Sequence, residues 1–289
     1  MGFQTPELSM QYDPVKRTLG NFFNQNIFLR KIFYRLLDLL LLRAWHIHRE
    51  LRLTPNPSLR IKIGTSTEMG TPLTILDAGS GFGQYTYWMH RHFKNSNILA
   101  VDVKEEQVAD CNNFFLRCGT ANVHFEIADL TKFKKENNFD LVLCVDVMEH
   151  IEEDVLVMKN YCSSLKPGGM LLISTPSDQG GSDAHDSSDE SFIEEHVRNG
   201  YNIDEMKNKL AQAGFSKSEI KYSYGTPGKI SWKLSMKYPI QLAGVSKIFL
   251  LILPFYYVIA YPVAFVLNLF DVRMNHNTGT GLIVKAWKN

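Results

Sequence analysis

The sequence predicts an α/β protein: a doubly wound, mostly parallel sheet with an N-terminal helical cap and an apolar helical insertion before the last strand. Three observations carry this. Short aliphatic runs alternate with helix-period stretches from Leu73 to Tyr224. Within them, Ile75-Leu76-Asp77-Ala78-Gly79-Ser80-Gly81-Phe82-Gly83 ends an apolar run in an acid and three alternate glycines. That is a tight strand-to-helix turn at which a ligand can approach bare backbone. Finally, Ile248 to Leu267 is a run of twenty residues without a charge.

Taken in order, residues 1–70 read as a basic, apolar cap and linker. The first twenty residues lack the apolar core of a secretory signal, so export is not expected. Asn21 to Leu53 is rich in Leu and Phe, with Arg30, Lys31, Arg35, Arg43, Arg49 and Arg52 interspersed. One or two helices, apolar over much of their circumference, are predicted. They fit a cap packed on the core, or an interfacial helix with its arginines turned to lipid headgroups. Thr54 to Thr71, with Pro55, Pro57, Gly64 and Gly70, reads as a linker.

The core, residues 71–225 plus 277–289, alternates strand and helix. Strands are predicted at Leu73–Ala78, Asn97–Val103, Val123–Ala128, Phe139–Asp146 and Met170–Thr175, the fourth apolar enough for burial on both faces. Helices are predicted at Tyr85–Phe93, Lys104–Cys118 and Glu152–Leu165, and Lys166-Pro167-Gly168-Gly169 reads as the turn before the fifth strand. After the polar, turn-rich stretch Ser177–Glu190 come a helix at Asp204–Ala213 and strands at Ser218–Tyr224 and Thr280–Trp287. The apolar insertion, residues 226–276, separates the last two.

Charge follows these divisions. Residues 1–62 carry a net of +6, residues 63–225 a net of −11 and residues 226–276 a net of +4. An acidic body between two basic, apolar segments points to peripheral contact with an anionic membrane surface. It points away from nucleic acid, because the basic segments are aliphatic rather than a groove with stacking aromatics. Cys111, Cys118, Cys144 and Cys162 form no Cys-x-x-Cys pair, which fits free thiols in the cytoplasm.

These motifs together resemble the class I methyltransferases that use S-adenosylmethionine, whose core is Rossmann-like. The resemblance covers roughly Thr71 to Tyr224 plus the final strand. Asp77 to Gly83 looks like that family's first motif. Asp102 stands where its ribose-binding acid stands, and Ala128-Asp129-Leu130 where its adenine-flanking acid stands. Phe139 to Val142, followed by Asp146-Val147-Met148-Glu149-His150, looks like its fourth motif, and Leu165 to Gly169 the turn before its fifth strand. The resemblance therefore implies S-adenosylmethionine as cofactor, held by Asp77, Gly79, Gly81, Gly83, Asp102, Val103, Asp129, Leu130 and Asp146. The physical requirements agree, since the rule for parallel sheets puts Asp77, Asp102, Asp129 and Asp146 around one crevice, and a carboxylate accepts from two neighbouring hydroxyls. A nicotinamide or flavin site needs its third glycine three positions after Gly81, where Gln84 stands.

The spacing Asp146-x-x-Glu149-His150 resembles ubiquinone-pathway and small-RNA 2′-O-methyltransferases, in which acids and histidines at this point hold a divalent metal. That resemblance implies Asp146, Glu149, His150 and a later histidine, His196, as ligands of an ion such as Mg²⁺. Members without metal carry the same pair, so His150 and His196 are equally candidates for general base, with Glu149 or Asp146 orienting the imidazole. A purely structural role for the group stays open. His185 reads as a loop residue.

The insertion is long enough to cross a bilayer, yet the strands on either side of it belong to one sheet. It must return to its own side, and Pro254 and Pro262 offer places to break it. A lid over the pocket or a membrane-contacting hairpin both imply a lipophilic acceptor. The expected activity is O-methylation of a hydrophobic small molecule, phenolic, quinone-like or a lipid or pigment precursor, at the cytoplasmic membrane face. Alternatives are N- or C-methylation of such a molecule, or a non-catalytic, membrane-associated cofactor-binding module.

Overall fold

A computed structural model of the chain describes residues 26–53, 72–180, 197–245 and 249–289. Helices α1 (Ile27–Leu40) and α2 (Leu42–Leu53) precede strand β1 (Leu73–Ala78). Helix α3 (Gln84–His92), β2 (Ser96–Asp102), α4 (Glu105–Arg117), β3 (Val123–Ile127) and β4 (Phe139–Val145) follow. A single 3₁₀ turn at Met148–His150 leads to α5 (Asp154–Ser164), β5 (Leu165–Pro176), α6 (Ile203–Gln212) and β6 (Lys217–Ser223). The insertion forms α7 (Thr226–Trp232), a π-helical segment at Lys233–Lys237, α8 (Tyr238–Val245) and α9 (Phe249–Arg273) before β7 (Gly281–Trp287).

The seven strands form one sheet in the order β3-β2-β1-β4-β5-β7-β6, with β7 antiparallel to both neighbours and the other pairings parallel. Strand period explains the two cores. Along β4, Leu141, Leu143 and Val145 face one layer, while Val142 and Cys144 face the other. The first layer gathers Tyr34, Ile47 and Leu51 of the cap with Tyr87, Trp88, Phe114, Phe115 and Phe125. The second gathers Val157, Met158 and Tyr161 of α5 with Met206 and Leu210 of α6. The cap helices are thus part of the core, and α1 starts where the Asn26 side chain accepts from the Phe28 amide at 2.8 Å.

Two elements depart from the sequence reading. Strand β5 begins at Leu165, ahead of the Pro-Gly-Gly that reads as a turn, and its pairing with β4 shifts register between Phe139 and Leu141. A Cβ on Gly169 would sit 2.8 Å from the Lys166 carbonyl and 3.1 Å from that of Phe139, so these residues make a close-packed irregularity within the strand. In the insertion, α9 runs unbroken through Pro254 and Pro262. Both prolines lie on its exposed side, where a ring and a freed carbonyl meet no packed neighbour. Helices α7 and α9 pack against each other.

Candidate active site

Strand β1 lies between β2 and β4, and the chain leaves it in opposite directions to reach them, which opens a crevice at the carboxyl ends. The glycine turn closes over that end. The Gly79 and Ser80 amides donate to the Val101 carbonyl at 2.8 and 2.9 Å, tying the turn to β2. Gly79 has φ +77°, and a Cβ there would lie 2.2 Å from Val147 Cγ2. At Gly81, φ is +50° and the nearest atom to an added Cβ is 3.9 Å away, so space stands open above the backbone. Gly83 has φ +75°, and its Cβ would meet Phe125 at 3.1 Å and Cys111 Sγ at 3.2 Å, so both backbone and packing favour glycine there. The Ser80 hydroxyl is buried without a hydrogen-bond partner.

Four acids were expected around the crevice, and their environments separate them. The Asp102 carboxylate accepts from the Gly81 amide at 2.8 Å and the Lys104 amide at 2.9 Å, one per oxygen, which leaves each oxygen a free lone pair. Beside it Val103 is 59% exposed and Ile127 56% exposed, two bare aliphatic surfaces at neighbouring strand ends. Asp129 is exposed and accepts from the hydroxyl and amide of Thr131, which lower its pKa. Leu130, which follows it, buries its side chain in the second core layer. Asp77 is 2% exposed, and its carboxyl, pushed up to about 7 by burial, accepts from the Thr86 hydroxyl at 2.5 Å. It braces the turn against α3.

At the end of β4, Asp146 adopts φ +52° and forms an ion pair with Arg43, which α2 brings across the crevice. The Arg43 amide donates to the Tyr224 hydroxyl at 2.9 Å. Burial pushes Tyr224 and Tyr85 both up to about 12. The Tyr85 hydroxyl, next to the Arg43 guanidinium, is buried without a well-formed hydrogen bond. Glu149 is 1% exposed and accepts from the Thr175 hydroxyl at 3.1 Å, and burial raises its pKa. His150 is exposed at the same 3₁₀ turn. His196 and His185 lie outside the described residues. Among the described residues, no three of His, Cys, Asp and Glu gather as metal ligands, because Asp146 turns to Arg43 and Glu149 to Thr175.

The cap also grips the glycine turn. Tyr34 donates to the Phe82 carbonyl at 2.5 Å, and Arg30 donates to Tyr34 at 2.8 Å and to the carbonyls of Phe82 and Asp110 at 3.2 Å. Gln84 donates to Asp38 of α1 at 2.8 Å. Of the two readings of this segment, the contacts fit the packed cap: Arg30 turns into the core, Arg43 to Asp146, and Arg49 to the Val272 carbonyl. Sequence reasoning missed Arg43, Tyr85, Tyr224 and Thr175 as site residues. Tyr224 adopts φ +55° just before Gly225, whose Cβ would lie 2.1 Å from the His276 ring.

A sheet in this order, with a glycine turn after β1 and an acid at the tip of β2, defines a class I methyltransferase fold that uses S-adenosylmethionine. The family described as a methyltransferase domain matches residues 71–224, and the chain belongs to it. It is 29% identical over 145 residues to phosphoethanolamine N-methyltransferase 1 of Triticum aestivum, a match covering 49% of this chain and 28% of that one. It is 26% identical over 102 residues to the ubiquinone biosynthesis O-methyltransferase of Coxiella burnetii, covering 35% of this chain and 42% of that one. The matches thus span less than half of either relative. Among solved structures, Haemonchus contortus phosphoethanolamine N-methyltransferase 2 in complex with S-adenosyl-L-methionine superimposes with a TM-score of 0.55 at 18% identity, covering 89% of this chain and 60% of that one.

Proposed function

We propose that the chain transfers a methyl group from S-adenosylmethionine to an oxygen of a hydrophobic small molecule, phenolic or quinone-like. The cofactor, when bound, supplies an electrophilic methyl on a sulfonium. The residues fit it. Open space above Gly81 accommodates its chain, the two free lone pairs of Asp102 match a ribose diol, and Val103 and Ile127 offer aliphatic faces to a flat base. Asp129 stands at the next strand end to accept from the base edge.

The acceptor side lies between β4 and the cap. The protein's task there is to align the acceptor and to take its proton. Glu149 and His150, adjacent at the end of β4, are the candidates for that proton, and the unpartnered Tyr85 hydroxyl can hold the acceptor oxygen. Metal assistance through Asp146 and Glu149 requires Asp146 to leave Arg43 first.

The observation that carries the lipophilic acceptor is the apolar hairpin packed on α2, the helix that brings Arg43 to Asp146: Leu42 meets Gly228, and Trp45 meets Phe265 edge-on at 5.0 Å. A second reading, transfer to nitrogen, is favoured by the relatives named as N-methyltransferases. Incubating the protein with methyl-labelled cofactor and a lipid extract separates them, because the labelled product is an ether in one case and an amine in the other. Label confined to water-soluble products would overturn the lipophilic reading. Turnover unchanged by exhaustive chelation would remove the metal variant.

A further inference from the structure

The insertion presents a surface that the methyl-transfer reading does not use. Around α9, at 100° per residue, the exposed side chains from Leu251 onward fall in a single arc of about 180°. Leu251, Phe255, Val258, Ile259, Val263, Val266 and Phe270 occupy it, and Phe255, Val258 and Ile259 are each at least 73% exposed. The opposite arc holds Ala260, Ala264, Asn268, Asp271 and Val272, all buried. The partition runs the length of the helix, and only 17% of its most apolar window is buried.

This exposure does not come from a loosely placed segment. The inner arc is tied down by polar contacts: Ser231 donates to Asn268 at 2.6 Å, and the Gly228 amide donates to Asp271 at 2.9 Å. His46 of α2 lies 2.8 Å from the other Asp271 oxygen. Tyr256 and Tyr257 donate to the carbonyls of Leu234 and Ser235, at 2.7 and 2.8 Å, which the π-helical segment leaves available. The hairpin is therefore built to hold its apolar side outward.

We propose that this side docks on an anionic lipid bilayer, lying in the interface without crossing it. The register excludes a single crossing, because Ser223 at the entry pairs with Gly281 at the exit in the same sheet. Charge complements the surface. Residues 226–276 carry Lys229, Lys233, Lys237, Lys247 and Arg273, and their single acid, Asp271, is 0% exposed. No carboxylate thus faces the headgroups from this segment, while the lysines of α7 and the π-helical segment recur every fourth residue. Trp232 and Tyr238, 37% and 44% exposed, are side chains that settle at headgroup level. The apolar side continues onto α1 through Leu36 and Leu39, where the Tyr261 hydroxyl reaches the Leu39 carbonyl at 3.5 Å.

Flotation of the full chain with vesicles of phosphatidylcholine, alone or mixed with phosphatidylglycerol, tests this. The wild type is expected to float with both and more strongly with the anionic mixture. Phe255→Glu/Ile259→Glu should lower the partition coefficient about tenfold or more, since each apolar side chain kept from lipid forfeits its transfer term. Cofactor affinity and thermal midpoint should be unchanged. Lys229→Gln/Lys233→Gln/Lys237→Gln should remove only the preference for anionic vesicles. As a check on the wild type itself, lipids brominated on their acyl chains should quench Trp232, read against a Trp232→Phe control. Wild-type protein left wholly in the soluble fraction at low salt overturns the proposal. So does a dimer in light scattering that the Glu pair dissociates without any vesicle binding, which would assign the surface to a second copy.

Discussion

Gly79→Ala perturbs the turn in two separable ways. The residue has φ +77°, which costs a residue with a side chain about 1–2 kcal/mol. The new methyl also lies 2.2 Å from Val147 Cγ2 and 3.2 Å from Cγ1, an overpacking worth about 1–3 kcal/mol. Together they should lower stability by roughly 2–5 kcal/mol, or about 4–20 °C in melting temperature for a domain of this size. Because Val147 follows Asp146, the displacement should also weaken cofactor binding about tenfold or more. Val147→Ala alone should destabilise by about 0.5–1.5 kcal/mol, as lost burial. In the Gly79→Ala background its sign should reverse, because both offending atoms are the Val147 methyls, and only Cβ at 3.3 Å then remains close. Thermal melts of the four proteins, with titration calorimetry of S-adenosylmethionine, complete the cycle. If Val147→Ala lowers the melting temperature equally in both backgrounds, the close approach is not what requires glycine at 79.

Other perturbations follow from the same geometry. Asp102→Asn should weaken cofactor binding by about 1.5–3 kcal/mol, roughly 10- to 150-fold by calorimetry, with the melting temperature little changed. Tyr34→Phe leaves the Phe82 carbonyl and Arg30 short of a partner; it should cost about 1–3 kcal/mol in urea melts and reduce cofactor affinity with it. Glu50 is held by Lys221 and by Lys285 at 3.0 Å; burial would raise its pKa, but these two bonds outweigh it and leave the pKa below the usual 4.5. At Lys285, Glu50 and Glu219 together outweigh burial and raise the pKa, whereas at Lys221, facing Glu50 alone, burial wins. A carboxyl with a depressed folded pKa stabilises fully above its unfolded value and loses that stability as pH falls through the folded one. Glu50→Gln should therefore cost up to about 3 kcal/mol at pH 7. In urea melts the gap from wild type should close as the pH falls below the usual 4.5 of a glutamate.

What the sequence disclosed and what it hid divide along physical lines. Strand positions were legible because alternation and apolar runs are local signals: β1 is observed where it was expected, and β2, β3, β4, β6 and β7 within a residue at either end. The cofactor turn was legible because a positive φ favours glycine within a few residues of sequence, as at Gly79 and Gly81. The start of β5 was hidden because Pro-Gly-Gly signals a turn in isolation, and only the β4 pairing partner converts it into an irregular strand. Arg43 was hidden for a different reason. Nothing local distinguishes it from Arg35 or Arg52, and its partner Asp146 is supplied by another layer of the fold. Tyr85 was visible only as part of an amphipathic helix, since its unpartnered hydroxyl is a property of the assembled crevice.

The same division explains how the two outlying segments bear on the site. Within α2, positions 43, 46 and 50 share one face at helical spacing. Arg43 reaches Asp146 in the crevice, His46 reaches Asp271 at the base of the hairpin, and Glu50 reaches the lysines of β6 and β7. One helix therefore fixes the acceptor side of the crevice, the hairpin and the antiparallel edge of the sheet with consecutive turns. His46 and Asp271 are 2% and 0% exposed, so the link is dry and loses most of its strength if either partner shifts. A surface that seats α9 consequently bears on the helix that carries Arg43.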